Sequence, residues 1–225
     1  MYNNFLYYYT IKQSVRKGFK LETIQKRERY YALFSRLLLS EVQKEILKKI
    51  EKSDEFEILF PTYSKWEKRK KENLEKIITH YLNVDFTDIS ILHLIPYESF
   101  YTREDAMIES GGANPVVEIY NEQGFRANLD KARAVSPDHI GIELEFMKIL
   151  IENEKEAIER GKDELAKEFK KLQKDFLKNH ILKFAPMYLI NVAEEARTPF
   201  YKDLAKSALE FLLEDLEYLS NEERV

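Results

Sequence analysis

His139 and Glu143 stand one helical turn apart in Ser136–Leu150, the stretch SPDHIGIELEFMKIL. On one face of a helix, an imidazole and a carboxylate at that spacing could share a metal or move a proton. Two such groups do not make a site, and the HExxH spacing of zinc hydrolases is absent. A plainer reading assigns these residues to a helix start. Ser136 would cap it, Pro137 would take the first helical position, and Asp138 would sit on the positive end of the dipole. The spacing favours this reading over chemistry. A second candidate follows Pro96, where Tyr97, Glu98, Ser99, Phe100 and Tyr101 are consecutive. Aromatics offer large contact area at little entropic cost, and Glu98 could hold a basic group, so the cluster could line a groove. The same aromatics could equally anchor a loop to the core, and residue type does not decide between the two.

Other chemistry finds little support. His80, His93 and His180 are scattered, and nothing in their spacing gathers them. Glu109-Ser110-Gly111-Gly112-Ala113 matches neither GxGxxG nor GxxxxGK[ST], so the glycine pair reads as a turn rather than a phosphate cradle. GxSxG is missing, as are cysteines, which removes the hydrolase elbow, thiol catalysis and Cys-ligated metal centres.

The elements that must position these residues are helical. Ile140, Leu144, Met147 and Ile151 form one apolar stripe, widened by Phe146, Ile149 and Leu150, which leaves Glu143, Glu145 and Lys148 as the polar positions. So apolar a helix is expected at the centre of the fold, running to about Arg160. Tyr30, Leu33, Phe34, Leu37 and Leu38 make an earlier stripe. Ser40-Glu41-Val42-Gln43 and Ser64-Lys65-Trp66-Glu67 read as capping boxes, the second opening a helix that reaches Leu82. Asn114-Pro115 predicts a helix ending near Gly124, and 125–135 reads as a loop. Leu165, Phe169, Leu172, Phe176 and Ile181 define a long helix that Pro186 should interrupt, and Thr198-Pro199 starts the last one. Hairpin signals are missing. The expectation is an all-α, single helical domain over 1–225, with about nine or ten helices and an irregular hinge or loop region around 83–136.

The chain has 225 residues and should bury roughly 70% of the surface its unfolded form exposes, so it needs neither metal nor disulfide to fold. Net charge is −4, which disfavours nucleic-acid binding. The charge is uneven: residues 1–100 carry 18 Lys+Arg and 14 Asp+Glu, and residues 101–225 carry 18 and 26. A partner of the acidic half would be basic. No apolar run is long enough to span a membrane, and the opening MYNNFLYYYTIKQS lacks the layout of a signal peptide. A cytoplasmic location is expected.

Several motifs in order resemble one family. They are Pro96-Tyr97-Glu98-Ser99-Phe100-Tyr101, then Gly124-Phe125, Pro137-Asp138-His139-Ile140 and Glu143-Leu144-Glu145-Phe146-Met147. Together they resemble the TorD-like redox-enzyme maturation chaperones of TorD, DmsD and NarJ type. Arg29–Ser35 resembles that family's first helix, and Phe176–Ile181 and Thr198–Ala205 its C-terminal helices. Phe86-Thr87-Asp88-Ile89-Ser90 stands where the family has an aromatic-x-x-Leu-Phe segment, with the last aromatic lost. The resemblance implies a non-enzymatic protein with no cofactor or metal of its own. Such a chaperone binds the twin-arginine signal peptide and apo form of a molybdenum-containing oxidoreductase, assists cofactor insertion and delays export. Residues matching the peptide-binding positions are Phe86, Pro96, Tyr97, Glu98, Ser99, Tyr101, Asp138 and His139. The molybdoenzyme catalytic subunit precursor would be the partner. The chain would act as a monomer or, through the irregular middle segment, a domain-swapped dimer. Two competing expectations are a metal-dependent helical hydrolase using His139 and Glu143, and a permanent adaptor or structural subunit.

Overall fold

A computed structural model describes the backbone of residues 2–221 and the side chains of 21–221. The reading of 1–14 as no signal peptide lies outside the described side chains. Among the described residues the fold is all-α, with eleven helices and no strand. The first four are α1 (Tyr2–Leu39), α2 (Lys44–Glu51), α3 (Phe56–Leu59) and α4 (Glu67–Lys71). Then comes α5, a rod over 74–92 in which Leu74–Lys76, Ile77–Leu82, Asn83–Thr87 and Asp88–Leu92 run on without a break. Three short helices follow: α6 (Glu98–Thr102), α7 (Val117–Glu122) and α8 (Leu129–Ala132). Last are α9 (Ile140–Glu159), the rod α10 over 163–195, and α11 (Pro199–Asn221).

The apolar stripe of Ile140, Leu144, Met147 and Ile151 is fully buried, and α9 lies between α1 and α10 at the centre of the core. Gly141 makes the approach to α1 possible. A Cβ there would stand 2.9 Å from Leu39 Cβ and 3.2 Å from the Ser35 carbonyl oxygen, and the Ser35 hydroxyl donates to the Gly141 carbonyl at 2.7 Å.

A buried ionic network ties the same elements together. Arg27 of α1 donates from Nη2 to Gln173 of α10 at 2.8 Å and to Asp215 of α11 at 3.1 Å. Tyr31 donates to Asp215 at 2.8 Å, and Gln173 donates to Glu154 of α9 at 2.9 Å. Helix α11 begins at Pro199 as the sequence predicts. Its first turn is held by Asp85 of α5, which accepts from the Arg197 and Thr198 N–H groups at 2.9 and 2.8 Å.

Several local expectations change in three dimensions. Pro186 lies inside α10 and does not break it. The wider π turn at Leu177–Ile181 precedes it, and such a turn re-spaces the hydrogen-bond ladder that a proline would otherwise interrupt. Neither capping box forms. Ser40 is taken by Arg36, and α2 starts later, after Gln43, with no side-chain cap. The helix expected from Ser64 to Leu82 divides at Glu72-Asn73. Nothing in Glu67–Lys71 is buried, and Asn73 starts a new helix by accepting from the Lys76 N–H at 2.8 Å. The loop read over 125–135 contains α8, capped by Asn128. Helix also extends through 83–92, as an α turn over Asn83–Thr87 and a π turn over Asp88–Leu92, so the loops of the irregular region begin at 93.

Candidate functional site

Two extended segments meet at the mouth of α9. Tyr97 and His139 form an antiparallel bridge: the Ile140 N–H donates to the Pro96 carbonyl at 2.8 Å and the Glu98 N–H to the Asp138 carbonyl at 3.0 Å. This bridge decides where α9 begins. The helix starts at Ile140, three residues later than the Ser136 cap would place it. His139 is the cap: its Nδ1 accepts from the Gly141 N–H at 3.0 Å. Only the neutral ring can accept there, and burial pushes the imidazole down from 6.5 to about 4, partly opposed by Asp138. The ring also stands edge-on to Tyr97, with centroids 5.1 Å apart.

Asp138 caps a different helix. Its carboxylate accepts from the Ser99 N–H at 2.7 Å, satisfying an open donor in the first turn of α6 from 39 residues away. The Asn114 amide donates to it at 3.0 Å, and the Ser136 hydroxyl lies against it. The Tyr97 hydroxyl in turn accepts from the Val135 N–H at 3.1 Å.

A strap over 103–116 crosses this knot. The Glu109 N–H donates to the Ser99 hydroxyl at 2.9 Å. The Glu109 carbonyl accepts from the Asn114 amide at 2.7 Å and lies 2.7 Å from the Ser136 hydroxyl. Met107, at the outer part of the strap, is 64% exposed.

Beneath the knot are further acids. Glu98 is buried and meets His180 Nδ1 at 3.1 Å, and the π turn in α10 carries that histidine. His180 stacks on Phe176 at 4.9 Å. Glu143 is also buried, although the stripe pattern assigned it to a polar position. Neither of its carboxyl oxygens meets a hydrogen-bond donor from another residue; its neighbour is the Glu98 carboxylate. Burial first, then the neighbouring Glu98 and Asp138 and a side-chain contact with Glu98, hold this carboxyl well above the usual carboxylate range and favour its protonated form. Burial and the same acids push the Tyr120 phenol up as well. Among the described residues, no group of three or more His, Cys, Asp or Glu side chains is placed to hold a metal ion.

The structure therefore gathers Pro96, Tyr97, Glu98, Ser99, Asp138 and His139 into one interlocked element. Tyr101 joins at the edge, half-buried with its ring on Phe184 at 5.8 Å. Phe86 is not part of the knot; its ring lies against Tyr201 of α11 at 6.2 Å. Sequence reasoning missed Asn114, Glu109 and His180. Asn114 was legible as a cap, and it does accept from the Val116 N–H at 3.2 Å, but its amide reaches across to Asp138. Nothing local marks His180, because its partner lies 82 residues away.

Comparison with known proteins places this architecture. A family model described as "Nitrate reductase delta subunit" matches residues 59–189, more than half of the chain, and spans both halves of the knot. No curated protein and no solved structure matches. The ordered motifs, the all-α core and this match agree, and the chain belongs to the nitrate reductase delta subunit family, the TorD- and NarJ-type redox-enzyme maturation chaperones that assist molybdoenzyme assembly.

Proposed function

We propose that this chain is a cytoplasmic chaperone that binds the twin-arginine signal peptide and apo form of a molybdenum-containing oxidoreductase. It assists cofactor insertion and delays export until the enzyme is mature. The peptide-binding residues in this reading are Pro96, Tyr97, Glu98, Ser99, Tyr101, Asp138 and His139, with Phe86 on the flank.

One observation carries the reading: Glu98, Asp138 and Glu143 are gathered beneath an aromatic segment, and Glu143 has no hydrogen-bond donor. A buried carboxyl crowded by two other acids resists ionisation, and a guanidinium supplies both the donors and the positive charge that its ionised form lacks. Its arrival would drive off the Glu143 proton, because a nearby cation favours the ionised carboxylate. Asp138 would exchange the Asn114 and Ser136 side chains for a two-pronged arginine contact. Entry requires the 103–116 strap to lift, since the Glu109 backbone joins Ser99 to Ser136 across the knot. The apolar part of the peptide would then meet exposed Ile91, Leu92 and Met187. These flank Ser90 and Tyr188, whose surroundings include Tyr97 and Tyr101.

Titration with a twin-arginine peptide and its twin-lysine counterpart at rising salt tests the reading. Affinity should fall with salt, and the lysine peptide should bind more weakly because it cannot fork onto a carboxylate. Asp138→Ala and Tyr97→Ala, checked for fold by circular dichroism, should both weaken binding. Salt-independent binding, or unchanged affinity in both variants, would contradict it.

A further inference from the structure

A wide cleft lies away from the knot, between the C-terminal end of α1 and the 125–133 segment around α8. Its volume is about 630 Å³. Its floor is apolar, with Ala32, Leu39, Phe125 and Ala132. Its rim is basic: Arg36, Arg126, Lys131, Arg133 and Lys148 face only Glu41 and Glu145. On a chain of net charge −4, that local excess of cations is opposite in sign to the whole.

The fold accounts for some of these cations and not others. Arg36 closes the end of α1, donating to the Ser40 and Glu41 carbonyls at 3.1 and 3.2 Å. Lys148 pairs with Glu152 at 2.7 Å. Arg126 and Lys131 are exposed and make no ion pair among the described residues. Arg133 is the most telling. It ends α8 with φ of 52°, the left-handed region that glycine fills without strain. In return the fold receives one exposed contact with Glu41 at 3.4 Å, of a kind that contributes little to stability. Backbone strain is held there for an arginine that the fold itself hardly uses.

From this we infer that the cleft is a second binding site, for a partner-protein segment whose acidic residues alternate with apolar ones at helical spacing. Arginines suit carboxylates, and the apolar floor suits the hydrophobic stripe of such a segment. A phosphate ligand fits less well. The rim's cations are long side chains spread over residues 36, 126, 131, 133 and 148, and a compact anion would leave the apolar floor uncovered. The inference is independent of the twin-arginine reading, because its ligand has the opposite charge and its residues are different.

The test uses the full chain and a fluorescent helical peptide with glutamates on one face and leucines on the other. A glutamine-for-glutamate peptide is the control, and inorganic triphosphate the competitor. The glutamate peptide should bind, with affinity falling as salt rises. Arg126→Glu combined with Lys131→Glu should weaken it by about tenfold or more, since each reversal turns attraction into repulsion. Arg133→Gly should weaken binding while leaving the melting temperature unchanged or higher, because glycine relieves the left-handed residue. Equal binding of both peptides, or indifference to the double reversal, would overturn the inference. So would failure of the glutamate peptide to bind, whether or not triphosphate binds to the cleft.

Discussion

Glu143 is the residue on which the chemistry turns. Its folded state holds the proton well above the ordinary value of 4.5, because burial and two neighbouring acids oppose ionisation. Between those two values the folded chain binds more protons than the unfolded one, so stability falls as pH rises, with a slope up to about 1.4 kcal/mol per pH unit from this group. The contribution is fully present below 4.5 and is lost as pH climbs towards the folded value. Glu143→Gln keeps a neutral side chain of the same shape. Urea midpoints at pH 5 and pH 8 should therefore differ less in this variant than in the parent chain; an unchanged difference would show that Glu143 ionises freely. His139 works in the other direction. Its folded value is about 4 against 6.5, so its contribution is present above 6.5 and is lost as pH falls through about 4. His139→Asn, which keeps a capping acceptor, should flatten the acid side of the stability profile.

At the scale of elements, α6 and α9 start each other. Asp138 caps α6 and the Pro96 carbonyl receives the first N–H of α9, so a substitution in one segment disturbs both helices. Asp138→Ala leaves the Ser99 N–H without its acceptor and takes one of the acceptors of the Asn114 amide, and should cost about 2–3 kcal/mol. Asp138→Asn keeps an acceptor for Ser99 and should cost less. Chemical denaturation of the two variants distinguishes them, and equal losses would mean that the charge, not the cap, is what matters. The same reciprocity explains what was legible in the sequence. The central helix and its stripe could be read because Ile140, Leu144, Met147 and Ile151 repeat locally. Pro199 could be read for the same reason. The start of α9 could not, because a bridge to Tyr97, 42 positions earlier, fixes it and converts Ser136 from a cap into part of the knot. The two capping boxes looked sound locally but lost to a competing arginine and to a helix with nothing to bury. The residues proposed to bind the peptide could be named from family motifs. That they interlock beneath a strap follows from contacts across 10 to 40 positions, which no local pattern carries.

At the scale of the molecule, Arg27 joins the outer helices to the centre. It is buried, and its pKa is raised by Asp215, Tyr31 and Glu154 against the opposing pull of burial. Arg27→Met would leave Asp215 and Glu154 as buried acids without their cation and should cost about 3–5 kcal/mol in stability, read as a shifted urea midpoint. A loss below about 1 kcal/mol would place the network among weak surface pairs instead. The network meets α9 at Glu154, eleven positions beyond Glu143, and joins α1, α9, α10 and α11 through side chains that the knot does not use. On this account the bundle is held rigid by Arg27 and the apolar core, while recognition belongs to the knot at the mouth of α9. Opening that knot for an arginine must release the proton of Glu143. The most direct measurement is calorimetric titration of a twin-arginine peptide at pH 7 in two buffers of different ionisation enthalpy. The expected result is release of about one proton per peptide in the parent chain and none in Glu143→Gln; binding with no buffer dependence in the parent chain would contradict it.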